Sequence, residues 1–256
     1  MNYGYWLLKR HLPVVLIALI SLSGCAGGMA AHTMDWQEEV LLHDGRIALA
    51  ERHYNLGGYS TLASTERSAA NQTVIFTLPG SSQRLTWQTD FRDTVPEPNS
   101  LNLLLFDVVN GVPYIATYPA GCIAYNKWQR PNPPYVLFKH ERGEWKRISM
   151  TEFPAELSKT NVSVGRPAPE LLKPYYTVEG VNARNHYLEP KYKAILRETM
   201  ANIGQQCRIE YSNGKGTWLS IDWFRDEKDL AACMRVCEIE GFNDATCPCG
   251  QFFKGN

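Results

Sequence analysis

The sequence lacks the short motifs that announce common catalytic or phosphate-binding sites. It has no Gly-x-Ser-x-Gly, no His-Glu-x-x-His, no phosphate-cradling glycine loop and no calcium-loop pattern. Cys-x-x-Cys is missing too, which removes the usual dithiol redox unit. There is no charge of one sign: 26 Lys+Arg meet 26 Asp+Glu, so the basic excess of a nucleic-acid binder is absent. Glycine, at 19, and proline, at 15, are too few for a collagen-like or low-complexity chain. No internal repeat is visible at the level of identity. The apolar run Leu12–Leu22 is interrupted by Pro13 and Ser21. It falls short of the roughly 20 residues a bilayer-spanning helix needs. What is present is a 256-residue chain, 44% hydrophobic, long enough to bury a sizeable core in one or two domains.

The N-terminus reads as an address. Lys9 and Arg10 precede the apolar run, and small residues follow it, the order of a cleaved signal peptide over residues 1–24. The run closes on Leu22-Ser23-Gly24-Cys25, which resembles the lipobox of bacterial lipoproteins. That resemblance implies a diacylglycerol on the Cys25 thiol, cleavage just before it and acylation of the new amino group. Several acyl chains at about 0.8 kcal/mol per buried CH₂ hold a protein firmly on a membrane. Ala26 follows the cysteine rather than Asp, which by the same resemblance implies an outer-membrane location facing the periplasm. Residues 25–34 are expected to be a lipidated flexible tether. Loss of Lys9 and Arg10 with the leader lowers the basic count from 26 to 24, against 26 acidic residues.

Beyond the tether, turn signals separate alternating runs. Asp44-Gly45, Pro79-Gly80, Asn110-Gly111, Arg142-Gly143 and Asn213-Gly214 each lie between two candidate strands. Four hairpins in succession predict an antiparallel meander over residues 35–153, as a sandwich, barrel or propeller-like fold. Leu101–Val109 also fits a helix, but the Asn-Gly turn that follows favours a strand. Residues 154–188 read as a Pro-rich connection, with Pro154–Pro174 on the surface. Residues 189–256 read as a smaller α+β part: a helix over Pro190–Ile203, a fifth hairpin, a helix over Asp226–Glu240 and a Cys-rich tail. The expected fold class is mainly β with this smaller α+β, disulfide-rich C-terminal part.

With Cys25 assigned to lipid, six cysteines remain, an even number in an oxidising compartment. Cys233 and Cys237 stand one helical turn apart, with Cβ atoms about 5–6 Å apart. A disulfide wants roughly 3.5–4.5 Å, so these two do not suit each other. Four helical residues rise about 6 Å, and two extended residues span about 6.6 Å. An extended Cys247-Pro248-Cys249 therefore matches the helix pair, with Cys237–Cys247 and Cys233–Cys249 nested. Cys122 and Cys207 are left to pair. The alternative is a zinc site of Cys233, Cys237, Cys247 and Cys249, though the Cys-x-Cys spacing is unusual for one.

No catalytic residue is assigned from spacing. His32, His43, His53, His140 and His186 sit at no ligand spacing and suit surface or packing roles. His43-Asp44 reads as turn chemistry, and Asp35, Glu38 and Glu39 as solvated carboxylates. The candidate contact surface is the segment from Cys122 to Tyr135, with Tyr125, Asn126, Lys127, Trp128, Arg130 and Tyr135 offered to a glycan or peptide. The plainer reading has Tyr125 and Trp128 packed on the core, with the prolines setting the path. Trp36-x-Glu-Glu39, Asp44-Gly45-Arg46 and Ala124-Tyr-Asn-Lys-Trp-x-Arg-Pro-Asn-Pro-Pro-Tyr135 are similar to a group of proteobacterial lipoproteins. The likeness covers about residues 35–200, carries no activity or catalytic residue, and does not extend to the Cys-rich tail.

The sequence thus leads to a lipid-anchored envelope protein, a non-catalytic binding or structural module with an envelope protein or glycan as partner and no nucleic acid. No cofactor is expected beyond the lipid on Cys25. Two alternatives stand beside it: an envelope hydrolase whose site assembles only in three dimensions, and a zinc-stabilised structural module.

Overall fold

The computed structural model describes residues 33–57, 68–91 and 99–253. The signal segment, the lipobox with Cys25, and tether residues up to 32 lie outside the described residues. Among the described residues, no helix is long and apolar enough to cross a membrane.

Two-residue alternation builds the first sheet. β1 (Thr33–Leu41) turns Met34, Trp36, Glu38 and Val40 to one face, and β2 (Ile47–Gly57) turns Ala48, Ala50, Arg52 and Tyr54 to the same face. β3 (Ser68–Thr77) and β4 (Arg84–Asp90) extend the antiparallel meander. The opposite face is exposed or half-buried and carries residues such as Gln37, Glu51, His53 and Gln88. The second sheet is the meander β5 (Leu101–Val109), β6 (Val112–Pro119), β7 (Val136–Glu141) and β8 (Glu144–Ile148). Asn110 and Gly111 both take positive φ, 51° and 78°, as the tight turn between β5 and β6 requires.

The two sheets face each other as a sandwich. Val40, Ala50, Val74 and Phe76 of the first meet Leu103, Phe106, Ile115 and Phe138 of the second in one core, where the Phe76 and Phe106 rings stack at 3.7 Å. Asn161 ties the sheets together: its amide donates to Leu41 O at 3.0 Å and Phe106 O at 2.8 Å, and its oxygen accepts from Phe106 N.

The back of β5 is buried as well. A bulge at Leu103/Leu105 helps present Leu104, Leu105 and Val109 to Phe153, Leu157 and Ile195. The Pro-rich connection is therefore not a surface loop. Its sparse apolar residues cover the second sheet, and Val162 and Ser163 are fully buried. β9 (Tyr175–Tyr176) then runs parallel to β1 and completes the first sheet as β4-β3-β2-β1-β9.

Three short helices depart from expectation or refine it. α1 (Cys122–Lys127) occupies the first half of the segment read as a loop. α2 (Val178–Arg184) is capped by Thr177 Oγ1, which accepts from Gly180 N. α3 (Pro190–Lys193) is a single turn, not a helix to Ile203. Ala194 is extended and bridges to Lys159, and Ile195 N donates to Ser158 O at 2.9 Å. Tertiary pairing overrides local helical periodicity there.

The C-terminal part is the hairpin β10 (Glu210–Ser212) and β11 (Trp218–Ser220), then α4 (Asp222–Arg225), α5 (Leu230–Ile239) and α6 (Cys249–Phe252). α5 starts later than Asp226 because Asp229 is its cap, accepting from Ala232 N at 2.7 Å. Gly241, at φ 73°, ends it. Phe224, Cys233, Cys237, Phe242 and Cys249 make a small separate core. The disulfides are Cys122–Cys207, Cys233–Cys249 and Cys237–Cys247, with Cα separations of 5.1, 5.8 and 5.7 Å. The nested pairing holds, but Pro248 is helical and Cys249 opens α6, so the segment is a turn rather than a strand.

Candidate functional site

A cavity of about 500 Å³ opens where the β1–β2 turn meets β5, bounded by residues 156–161 and α2. Leu41, Leu42, Leu105, Leu157, Val178 and Val181 supply an apolar wall. His43, Asp107, Glu156, Ser158 and Lys159 supply the polar one.

The chemistry centres on His43 and Asp107, brought together from 64 residues apart. The β1–β2 turn is closed by Leu42 N donating to Arg46 O at 2.8 Å and Gly45 N to Leu42 O at 3.0 Å. That turn aims His43 N at Asp107 Oδ2, 2.8 Å away, while His43 Nδ1 lies 2.8 Å from Asp107 Oδ1. Asp107 is 2% exposed, and its Oδ1 also accepts from Val108 N at 2.7 Å. A carboxylate fixed by two backbone N–H groups accepts the Nδ1 proton, which leaves Nε2 as the ring atom for other partners. Among the described residues no hydroxyl bonds to that second nitrogen. The hydrogen bond to Asp107 raises the His43 pKa above its ordinary 6.5. Burial opposes the rise, and the Asp107, Asp44 and Glu156 charges reinforce it.

A second polar cluster lies inside the sandwich. Arg52 and Glu38 are both fully buried and pair at 2.6 Å. Glu38 also accepts from Trp36 Nε1 at 2.9 Å and Ser163 N at 3.2 Å, and Arg52 donates to Ser163 O at 3.1 Å. With its amide oxygen turned to Arg52, Gln72 accepts from Nη2 at 2.6 Å and Nε at 2.7 Å. Burial, the largest single influence, would lower the Arg52 pKa, but the charge and hydrogen-bonding effects of Glu38 and Tyr54 together outweigh it and raise the pKa. Every strong donor and acceptor here is used internally, so this cluster organises the fold. Glu38, expected to be solvated, is the reverse.

The residues offered as a contact surface face inward. Arg130 donates to the carbonyls of Gly204 at 3.0 Å, Cys207 at 3.0 Å and Arg208 at 3.2 Å. Asn126 donates to Cys122 O and Arg208 O and accepts from Glu210 N. Trp128 Nε1 donates to Asn99 O at 2.8 Å, and its ring packs on Phe138. Lys127 reaches the Trp128 ring. Tyr135 is buried, its hydroxyl bonding to Lys191 O and Ala194 O. Tyr125 is buried beneath Arg130 and lines a second cavity of about 480 Å³ with Tyr118 and Tyr192. Tyr125, Asn126, Arg130 and Tyr135 fasten the C-terminal part to the sandwich, while Lys127 and Trp128 hold α1 against Asn99 and Phe138.

Among the cysteines, the Cys237, Cys247 and Cys249 sulfurs lie within 4.8 Å of one another. All three are in disulfides here.

No protein-family model, no curated protein and no solved structure matches this chain. The likeness to envelope lipoproteins therefore rests on the lipobox and the quoted segments alone.

Sequence reasoning missed the His43–Asp107 pair because neither residue has a partner nearby along the chain. One signal was present: Asp107 is the single acid within the apolar stretch Leu103–Val109. A buried carboxylate demands a partner. His53 pairs with Asp35 at 2.7 Å in similar fashion, but on the open outer face of the first sheet.

Proposed function

We propose that this protein is a lipid-anchored lipoprotein of the bacterial envelope, facing the periplasm, whose sandwich binds an amphipathic envelope molecule in the His43 cavity. The anchor rests on Leu22-Ser23-Gly24-Cys25. The cavity carries the binding reading, because it gathers leucine and valine side chains together with many polar groups, the His43–Asp107 pair among them. Binding moves there from the 122–135 segment, whose polar groups are spent on internal contacts. The expectation of a non-catalytic module rested on missing local motifs, and residues assembled from distant strands leave no such motif.

Two experiments test this reading. A photo-reactive residue at Ser158 should capture an envelope component in intact cells, and one at Gln37 on the outer sheet face should not. Equal capture at both positions refutes the site. Replacing Cys25 with Ser should release the chain from membranes and end fatty-acid labelling. Continued labelling refutes the anchor.

A zinc-stabilised module is the second reading, and the clustered sulfurs speak for it more directly than anything speaks for the 122–135 contact surface. Zinc takes thiolates, so this reading describes a chain in which the nested disulfides are reduced. Thiol titration in denaturant without reductant separates the two. Four free thiols with co-purifying zinc support the metal, and none supports the disulfides.

A further inference from the structure

We infer that the His43 cavity is a hydrolytic site for carboxylic esters, with His43 as the proton-transfer residue and water as the nucleophile. This rests on the cavity being a ligand site, and it adds chemistry to it. Three observations carry it. First, Asp107 holds the His43 ring through Nδ1 at 2.8 Å and is itself held by the backbone N–H groups of His43 and Val108. That fixes the tautomer with its lone pair on Nε2, as general-base catalysis requires. Second, the pair lines a cavity, so a reacting group can reach the ring. Third, Lys159 is the one Lys or Arg among the described residues that line the cavity, a cation for the charge that develops on a carbonyl oxygen. The leucine and valine wall suits the hydrocarbon of an acyl or alkoxy group.

The step balances with water as co-reactant. Nε2 takes a proton from water as the oxygen bonds to the acyl carbon, and the carbonyl π pair moves to oxygen. The tetrahedral intermediate collapses, the bond to the alkoxy oxygen breaks, and that oxygen takes the proton back from Nε2–H. Products are the acid and the alcohol, and His43 is restored. Water is assigned as nucleophile because no hydroxyl among the described residues bonds to His43. An ester is assigned because an alkoxide leaves more readily than an amide nitrogen.

His53–Asp35 supplies the internal control. It repeats the Nδ1–carboxylate contact, at 2.7 Å, without lining this cavity. The test uses the full chain in detergent with p-nitrophenyl butyrate as substrate, and calorimetric binding of the matching anilide as a readout that needs no turnover. Wild type should hydrolyse the ester with saturation. His43→Gln should lose at least about 100-fold in kcat/KM, the low end for general acid–base catalysis, while still binding the anilide. His53→Gln should match wild type. The wild-type rate should rise with pH through the titration of His43, a limb that His43→Gln lacks. Asp107→Asn is the second variant, judged by the same ratio of lost turnover to retained binding. Anilide binding without ester hydrolysis overturns the catalytic inference and leaves the binding reading standing. So does a wild-type rate in His43→Gln, or an equal fall in both histidine variants. A wild type that neither binds nor hydrolyses overturns both readings.

Discussion

Arg52 and Glu38 form an ion pair with no exposed side-chain surface, and they show how one pair of side chains can govern the whole. Removing one partner leaves an uncompensated buried charge, which costs about 3–5 kcal/mol. Glu38→Gln should therefore lower the urea midpoint sharply, and the joint change Glu38→Leu with Arg52→Met should recover much of the loss. A double variant as weak as the single one would show that the pair contributes more than mutual charge compensation. His43 makes a second prediction, through pH. Its folded pKa is raised, chiefly by the hydrogen bond to Asp107. A raised histidine contributes stability that is complete below its unfolded value, near 6.5, and fades as pH rises through the folded value. The stability gap between wild type and His43→Gln should shrink as pH is raised from 6 upward, in urea titrations at about 0.5-unit steps. A gap that widens would contradict the protonated pair. Both pairs were half-legible. Glu38 shares the parity of Met34, Trp36 and Val40 in β1, so alternation puts it inside. What alternation does not tell is the partner, which comes from strand pairing across 14 residues in one case and from the facing of the two sheets across 64 in the other.

Elements were legible where chain chemistry is local. Asn110-Gly111 and Arg142-Gly143 adopt positive φ at both residues, and each joins adjacent antiparallel strands as expected. The helix expected over residues 190–203 was not legible, because pairing of Ala194 with Lys159 and burial of Ile195 extend the chain. Of the two readings of the 122–135 segment, the plainer one, with Tyr125 and Trp128 packed on the core, matches the contacts found. Trp, Arg and Tyr mark contact surfaces, and the surface they meet here belongs to the same chain. Arg130 bonds three carbonyls of residues 204–208, so Arg130→Ala should cost about 2 kcal/mol, the range for hydrogen bonds to a charged group. Hydrogen exchange should quicken at residues 204–210 and stay unchanged in β1–β3. A faster exchange spread evenly over both sheets would refute the fastening role. Gly204 should be equally intolerant. It sits at φ 71°, and a Cβ there would lie 2.3 Å from the Tyr125 ring, so Gly204→Ala should loosen the same segment.

At the scale of the molecule, the two-part division into a mainly β region and a smaller α+β part could be read from turn spacing and cysteine count. Its layering could not. A connection with few apolar residues gave no sign that it covers the back of β5, because burial there depends on Phe153, Leu157 and Ile195 folding over the strand's second face, whose side-chain parity a bulge shifts. The Cys122–Cys207 bond spans the division, joining α1 beside the sandwich to the chain that leads into β10. Its sequence separation is 85, against 16 and 10 for the nested pairs. In the chain-entropy account, closing a loop of that size restricts the unfolded chain by about 4–5 kcal/mol, against about 3 for each short loop. In the folded chain, by contrast, Arg130 and Asn126 continue to hold residues 204–210 after the bond is gone. The joint change Cys122→Ala with Cys207→Ala should therefore lower the unfolding free energy more than Cys237→Ala with Cys247→Ala. The slowest sheet amides, which exchange through global unfolding, should exchange faster in proportion to that loss. Urea unfolding of the two double variants, each with its remaining disulfides intact, decides the order. If the short-loop variant proves the weaker, the small core around Phe224 and Phe242 depends on its cysteines for packing rather than for chain restriction.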